Sequence, residues 1–139
     1  MARNDHENSF SVGRNMNQQA RKLIEDMGGS GVMAVEYTLI EDLEEMIGIQ
    51  PESIVSRTFY KGDTVKGIIF GFDAGQELSE HTSNQAAIIQ ILQGEATVTL
   101  GEDRHELSSG AWIAMPPRLA HSITAKTSLV MLLAMFGAE

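Results

Sequence analysis

The sequence predicts an all-β fold, a sandwich or a small barrel, and three observations carry that reading. From Ile54 to Phe136 the 139-residue chain breaks into short runs rich in β-branched and aromatic residues. Turn signals built on glycine separate the runs. Within several of them apolar side chains recur at every second position, the period of a half-buried strand rather than of a helix.

Taken in order, residues 1 to about 20 are polar and Asn-rich, without periodicity, and are expected to form a mobile arm in which His6 is solvated. Ala20, Leu23, Ile24 and Met27 stand at helical spacing and predict a short helix ending at the flexible joint Gly28-Gly29-Ser30-Gly31. A second helix is expected from Thr38, because Thr38 and Glu41 form a capping-box pattern. Ile40, Leu43 and Ile47 then share a face, and Gly48 ends it. The acidic residues Glu41, Asp42, Glu44 and Glu45 read as the wet face of this helix rather than a metal cluster. Residues 1–50 are thus expected to be an extension, partly disordered and partly helical, and residues 51–139 the β domain.

In the β domain, Ile54 to Tyr60 is a strand closed by the turn Lys61-Gly62-Asp63. Ile68, Phe70 and Phe72 share one face of the next strand, with Gly67 and Gly71 on the other. Ala86 to Leu92 is nearly unbroken apolar sequence ended by Gly94. Ala96, Val98 and Leu100 alternate with polar residues before Gly101-Glu102-Asp103 turns a hairpin. Ala111–Met115, Ala120–Ala125 and Ser128–Phe136 complete the set. The last strand is apolar on both faces, so its outer face needs a cover, either the N-terminal helices or a second subunit, and a homodimer is the favoured reading.

Composition narrows the function. The net charge of −9 argues against nucleic acid or an anionic membrane as partner, since both require clustered cations. The absence of cysteine excludes disulfides, thiolate metal sites and cysteine nucleophiles. Residues 1–15 lack the apolar core of a signal peptide, and the run Leu129–Phe136 is too short to span a bilayer, so a cytoplasmic location is expected. Gly28–Gly31 lacks the lysine of a phosphate loop, and a Ser83–His121 hydrolase pair lacks an acidic orienter and a nucleophile elbow. His105, after the hairpin turn, is expected to be structural, and Trp112 to be core or a subunit contact.

Two stretches remain, Gly75-Gln76-Glu77-Leu78-Ser79-Glu80-His81 continuing to Gly94, and Gly110 through Pro116 to His121. If side chains alternate, His81, Ser83 and Ala87 point to one side of their strand, and His121, Ile123 and Ala125 to one side of theirs. This arrangement resembles the cupin superfamily over roughly residues 50 to 139. Gly75, His81 and Gly94 fall on its first motif, and Gly110, Pro116 and His121 on its second. Arg118 stands where that motif has glycine, and Ala125 where it has asparagine. The resemblance implies a double-stranded β-helix, or jelly-roll, barrel, to which the local patterns in residues 1–50 add a short helical N-terminal extension. The superfamily's four metal ligands would fall on His81, Ser83, Ala87 and His121, and the middle two are poor or absent donors.

The resulting expectation is a small-molecule-binding protein with His81, Ser83, Gln85 and His121 as polar contacts and Ile89, Ile91 and Ile123 as apolar lining. A divalent ion (Fe, Mn, Zn or Ni) would sit weakly on His81 and His121, helped by Gln85 or water; Glu77 and Glu80 are near in sequence, though Glu80 should face away. The alternatives are a metal-dependent dioxygenase or isomerase, and a structural homodimer with a vestigial pocket. Neither nucleic acid nor membrane is expected as a partner.

Overall fold

The computed structural model describes residues 10–14, through their backbone alone, and residues 35–137. The chain divides into two units, residues 1–42 and 43–139. In the first, strand β1 (Phe10–Arg14) pairs antiparallel with β2 (Glu36–Ile40), with Phe10 opposite Ile40 and Arg14 opposite Glu36. Two expectations are corrected here. Residues 10–14 belong to a strand rather than an arm, and the helix expected from Thr38 is replaced by strand β2 and a single 3-10 turn over Leu43–Met46. Tyr37, Thr38 and Ile40 are aromatic or β-branched, and a strand partner distant in sequence outweighs a local capping pattern. The helix expected at Ala20–Met27, the joint at Gly28–Gly31 and His6 lie outside the described residues.

The second unit is built from β3 (Ile54–Lys61), β4 (Val65–Phe72), β5 (Glu77–His81), β6 (Ala86–Gln93), β7 (Glu95–Leu100), β8 (Asp103–Ser108), β9 (Trp112–Met115), β10 (His121–Ala125) and β11 (Leu129–Phe136). A five-stranded antiparallel sheet has the order β3-β4-β11-β6-β9, and a four-stranded one the order β5-β10-β7-β8. The short two-residue turn at Gly101-Glu102 joins β7 and β8 as the hairpin expected from sequence.

The inner faces follow the alternation. On the larger sheet, Phe70, Met131 and Ile91 lie side by side on adjacent strands, as do Ile68, Leu133, Ile89 and Ile113. Ile123, Ala125, Ala96 and Val98 come from the smaller sheet and form one buried core with Ile89, Ile91, Met131, Phe72 and Leu129, against which Phe70, Leu133 and Ile113 pack half-buried. Each large aliphatic side chain withdrawn from water there contributes on the order of 1.5–3 kcal/mol.

The outer face of β11 changes character along its length. Near β4, Gly71 leaves space for the chain after the 3-10 turn: a Cβ there would lie 2.9 Å from the Gly48 carbonyl and 3.2 Å from Ile47 and Ile49. Gly67 is roofed in the same way by the Phe59 ring, 2.5 Å from where a Cβ would stand. Glycine alternation in β4 thus records close cover, not a polar exterior. Toward the far end of β11, Leu132 and Ala134 are half-buried and Phe136 is exposed. Trp112 on β9 is 59% exposed, so it does not belong to the core of this chain.

On the outer face of the smaller sheet, the Glu106 carboxylate receives three partners: Lys126 Nζ at 3.1 Å, the Thr97 hydroxyl at 2.9 Å and Arg104 Nε at 3.2 Å. The Lys126 contact, then the Thr97 hydroxyl and Arg104, hold its pKa down from the ordinary 4.5 to about 2. A lowered folded-state pKa contributes stability that is complete above the unfolded value and is lost as pH falls through about 2. The group is solvent-exposed, so the contribution is small. In a carboxyl-detected NMR titration Glu106 should titrate near 2, and Glu106→Gln should flatten the loss of stability between pH 4.5 and 2. A Glu106 midpoint at the ordinary value would show that the three partners do not hold it in solution.

Candidate ligand-binding cavity

His121 opens β10, where buried and half-buried residues alternate, so it shares the inward face of Ile123 and Ala125; it is 7% exposed. His81 closes β5 and stands directly across from it, the two strands pairing His121 with His81. The ring centroids are 4.2 Å apart with the planes inclined by 57°. Each ring is anchored in the same way: His81 Nδ1 lies 2.8 Å from the Ser79 carbonyl oxygen, and His121 Nδ1 lies 2.8 Å from that of Leu119. A carbonyl oxygen can only accept, so Nδ1 carries the proton in both rings and donates it. In the neutral ring that leaves Nε2 as the lone-pair acceptor.

The rings stand at the wall of a cavity of about 330 Å³. Its polar lining is His81, Thr82, Ser83, Gln85 and His121, and its apolar lining is Ala87, Met115, Pro116, Leu119, Leu133 and Met135. His81 and Thr82 are exposed, which places the opening on their side. Two crossings build this end of the barrel. Residues 82–85 carry the chain from the smaller sheet to the larger, and residues 116–120 carry it back. They are tied together by the Arg118 amide, which donates to the Ser83 carbonyl at 2.7 Å. Arg118 does so at φ 69°, a left-handed conformation that suits glycine, the residue the resembled motif has there. Within the first crossing the Gln85 amide donates to Ser83 Oγ at 3.1 Å, and Gln85 Nε2 donates to the Gly137 carbonyl at 3.2 Å.

Three expectations change. His81, Ser83 and Ala87 do not share a strand: His81 ends β5, Ser83 lies in the crossing, and Ala87 belongs to β6 in the other sheet. They reach one cavity because the chain changes sheets between them. Ile89, Ile91 and Ile123 are about 1% exposed and packed in the core, not at the cavity. Met115, Leu119, Leu133 and Met135 line it instead. Leu133 and Met135 were visible as one face of the last strand; that they lie at the open end was not. Glu77 faces away, bordering a polar depression on the outside of the smaller sheet with Thr97, Thr99, Arg104, Ser122 and Thr124. Gln90 lies opposite Trp112 and Leu132, on the side away from the cavity. His105 is exposed along β8.

The donor set does not fit a firmly held metal ion. At the four positions that the resemblance assigns to ligands stand His81, Ser83, Ala87 and His121, so two imidazoles remain where catalytic sites normally use three or more protein ligands. Among the described residues no group of three or more His, Asp or Glu side chains is placed to hold an ion. No described helix is long and apolar enough to cross a membrane.

Comparison with known proteins agrees with this architecture. The sequence profile of the cupin domain matches residues 68–136. A conserved protein of unknown function from Streptococcus pyogenes superposes with a TM-score of 0.66 at 28% identity, over 76% of this chain and 92% of that one. A cupin superfamily protein from Desulfitobacterium hafniense gives 0.64 at 26% identity, over 68% and 86%. An RmlC-like cupin from Desulfovibrio desulfuricans shares the fold at 24% identity, with a TM-score of 0.65 over 72% and 97%. No curated protein sequence matches the chain. With nine strands in two antiparallel sheets, motif glycines at the turns and a profile match running from β4 to the end of β11, the chain belongs to the cupin superfamily.

Proposed function

We propose that this protein binds a small molecule in the cavity beside His81 and His121, with Ser83 and Gln85 as further polar contacts. The observation that carries the reading is the meeting of two anchored imidazoles, 4.2 Å apart, on the wall of an otherwise largely apolar cavity of about 330 Å³. A volume of that size suits a metabolite of modest dimensions. A divalent ion would bind loosely, through two imidazole nitrogens alone or with an amide oxygen.

Ser83→Phe tests the reading by filling the cavity from the crossing loop. Native mass spectrometry of tag-free protein should show a small molecule retained by the wild type and lost from the variant, with an unchanged far-UV spectrum. Equal retention by both proteins would place the ligand elsewhere. Elemental analysis of the same preparation should find metal well below one equivalent. Near-stoichiometric metal that disappears in a His81→Ala/His121→Ala protein would instead favour the metal-dependent enzyme.

The outer face of the larger sheet supports assembly as a homodimer. There the rows Leu132–Gln90–Trp112 and Ala134–Ile88–Ala114 run across β11, β6 and β9 with no formal charge, and Trp112 and Phe136 are exposed. Light scattering should give twice the chain mass, and Trp112→Glu should halve it by placing a charge within that apolar face. A wild-type protein that remains a monomer at micromolar concentration would remove this part of the proposal.

A further inference from the structure

We infer that the cavity selects a ligand whose polar head donates hydrogen bonds, a neutral or cationic group such as an amidine, ammonium or amide, carried on an apolar body. The inference rests on the binding reading above and adds the chemical class of the occupant.

The walls offer the cavity a specific set of donors and acceptors. Both imidazole Nδ1 atoms are committed to backbone carbonyls, at 2.8 Å each, so each ring in its neutral form offers a lone pair at Nε2. Gln85 spends one of its two side-chain N–H groups on the Gly137 carbonyl, and its amide oxygen is a further acceptor. Ser83 Oγ already accepts from the Gln85 amide, which leaves its hydroxyl proton to donate. Among the described residues no Lys or Arg lines the cavity, so none of them sets a fixed positive charge there for an anion. The Arg118 backbone binds the crossing loop, but its side chain is not part of the lining.

A carboxylate at the neutral ring pair would set its own lone pairs against the two at Nε2, at a cost comparable to an unpaired buried polar group. A head bearing two or more N–H groups meets the two Nε2 atoms directly and leaves its hydrocarbon against Leu133, Met135 and Met115. Seating a metal ion there uses the same lone pairs, but with only two imidazoles to hold it.

Benzamidine and benzoate share a flat apolar body and differ in whether the head donates or accepts. Cavity resonances of the full chain would be followed by NMR at pH 8 during titration with each. Benzamidine should bind at least roughly tenfold more tightly, the size of one hydrogen-bonding mismatch. His81→Phe, a change at an exposed position, should reduce the ratio to near one while leaving the fold unchanged. Long-range proton–nitrogen spectra should show both rings protonated at Nδ1 only. Benzoate binding as tightly as benzamidine, or an Nε2 proton on either ring, would overturn the donor-head inference and leave the cavity as a binding site. If neither compound moves a cavity resonance, the binding reading itself fails and the inference with it.

Discussion

Replacing Gly94 with alanine should destabilise the barrel by roughly 3–5 kcal/mol, whereas the same change at Gly110 should cost only about 1 kcal/mol. Both glycines have positive φ, 93° and 97°, so the backbone penalty is shared. What differs is space. A Cβ on Gly94 would collide with the Ser128 carbonyl oxygen and stand 3.1 Å from Leu129 Cα, whereas no described residue lies within 4 Å of the corresponding position at Gly110. The obstacle at Gly94 is backbone at the entry to β11, the central strand of the larger sheet, and it cannot rotate away. With roughly 5–15 kcal/mol of total stability typical of a domain, the Gly94 variant should lose a large share of it. Urea unfolding of the two variants side by side measures the difference, and equal midpoints would mean that the close approach to Ser128 does not persist in solution.

The second large effect is a gain. Restoring donors in a Ser83→His/Ala87→Glu protein should tighten zinc binding by roughly a hundredfold or more, because it takes the site from two protein ligands to four. The side chains of both positions already line the cavity with His81 and His121, and both rings are held with Nε2 free. Ala87 is 5% exposed, so the new carboxylate would be costly without its ion. The variant should therefore melt below the wild type when metal-free and recover on zinc addition, as binding to the native state requires. Calorimetric titration gives the affinity. A folded variant with no gain would show that the four positions do not converge closely enough to share one ion, and would weaken the assignment of the ring pair as the polar centre of the cavity.

Much of this was legible in the residues. Period-two alternation in Ala96, Val98 and Leu100 and in Ile68, Phe70 and Phe72 specifies strands with one inward face, because a strand cannot bury both kinds of side chain on the same side. Turn glycines at 75, 94, 101 and 110 all adopt positive φ, the conformation for which a missing Cβ matters. The spacing of His81 and His121 from those glycines suggested the pair that stands face to face.

Other features were decided by packing alone. The Thr38 capping pattern is a real local signal, but β1 offers Tyr37 to Ile40 a partner that no local window contains. Alternation tells which way a side chain points, not how far along the barrel it lies. Ile89 and Ile123 therefore filled the core, while Met115, Leu133 and Met135, equally inward, met the open end. Depth is fixed by register with neighbouring strands and by where residues 82–85 and 116–120 change sheets. The sequence by itself determined most strands of the β domain, their inward faces and the two histidines. Only the tertiary structure decided which inward side chains surround a cavity, and which nitrogen of each ring is committed to the backbone.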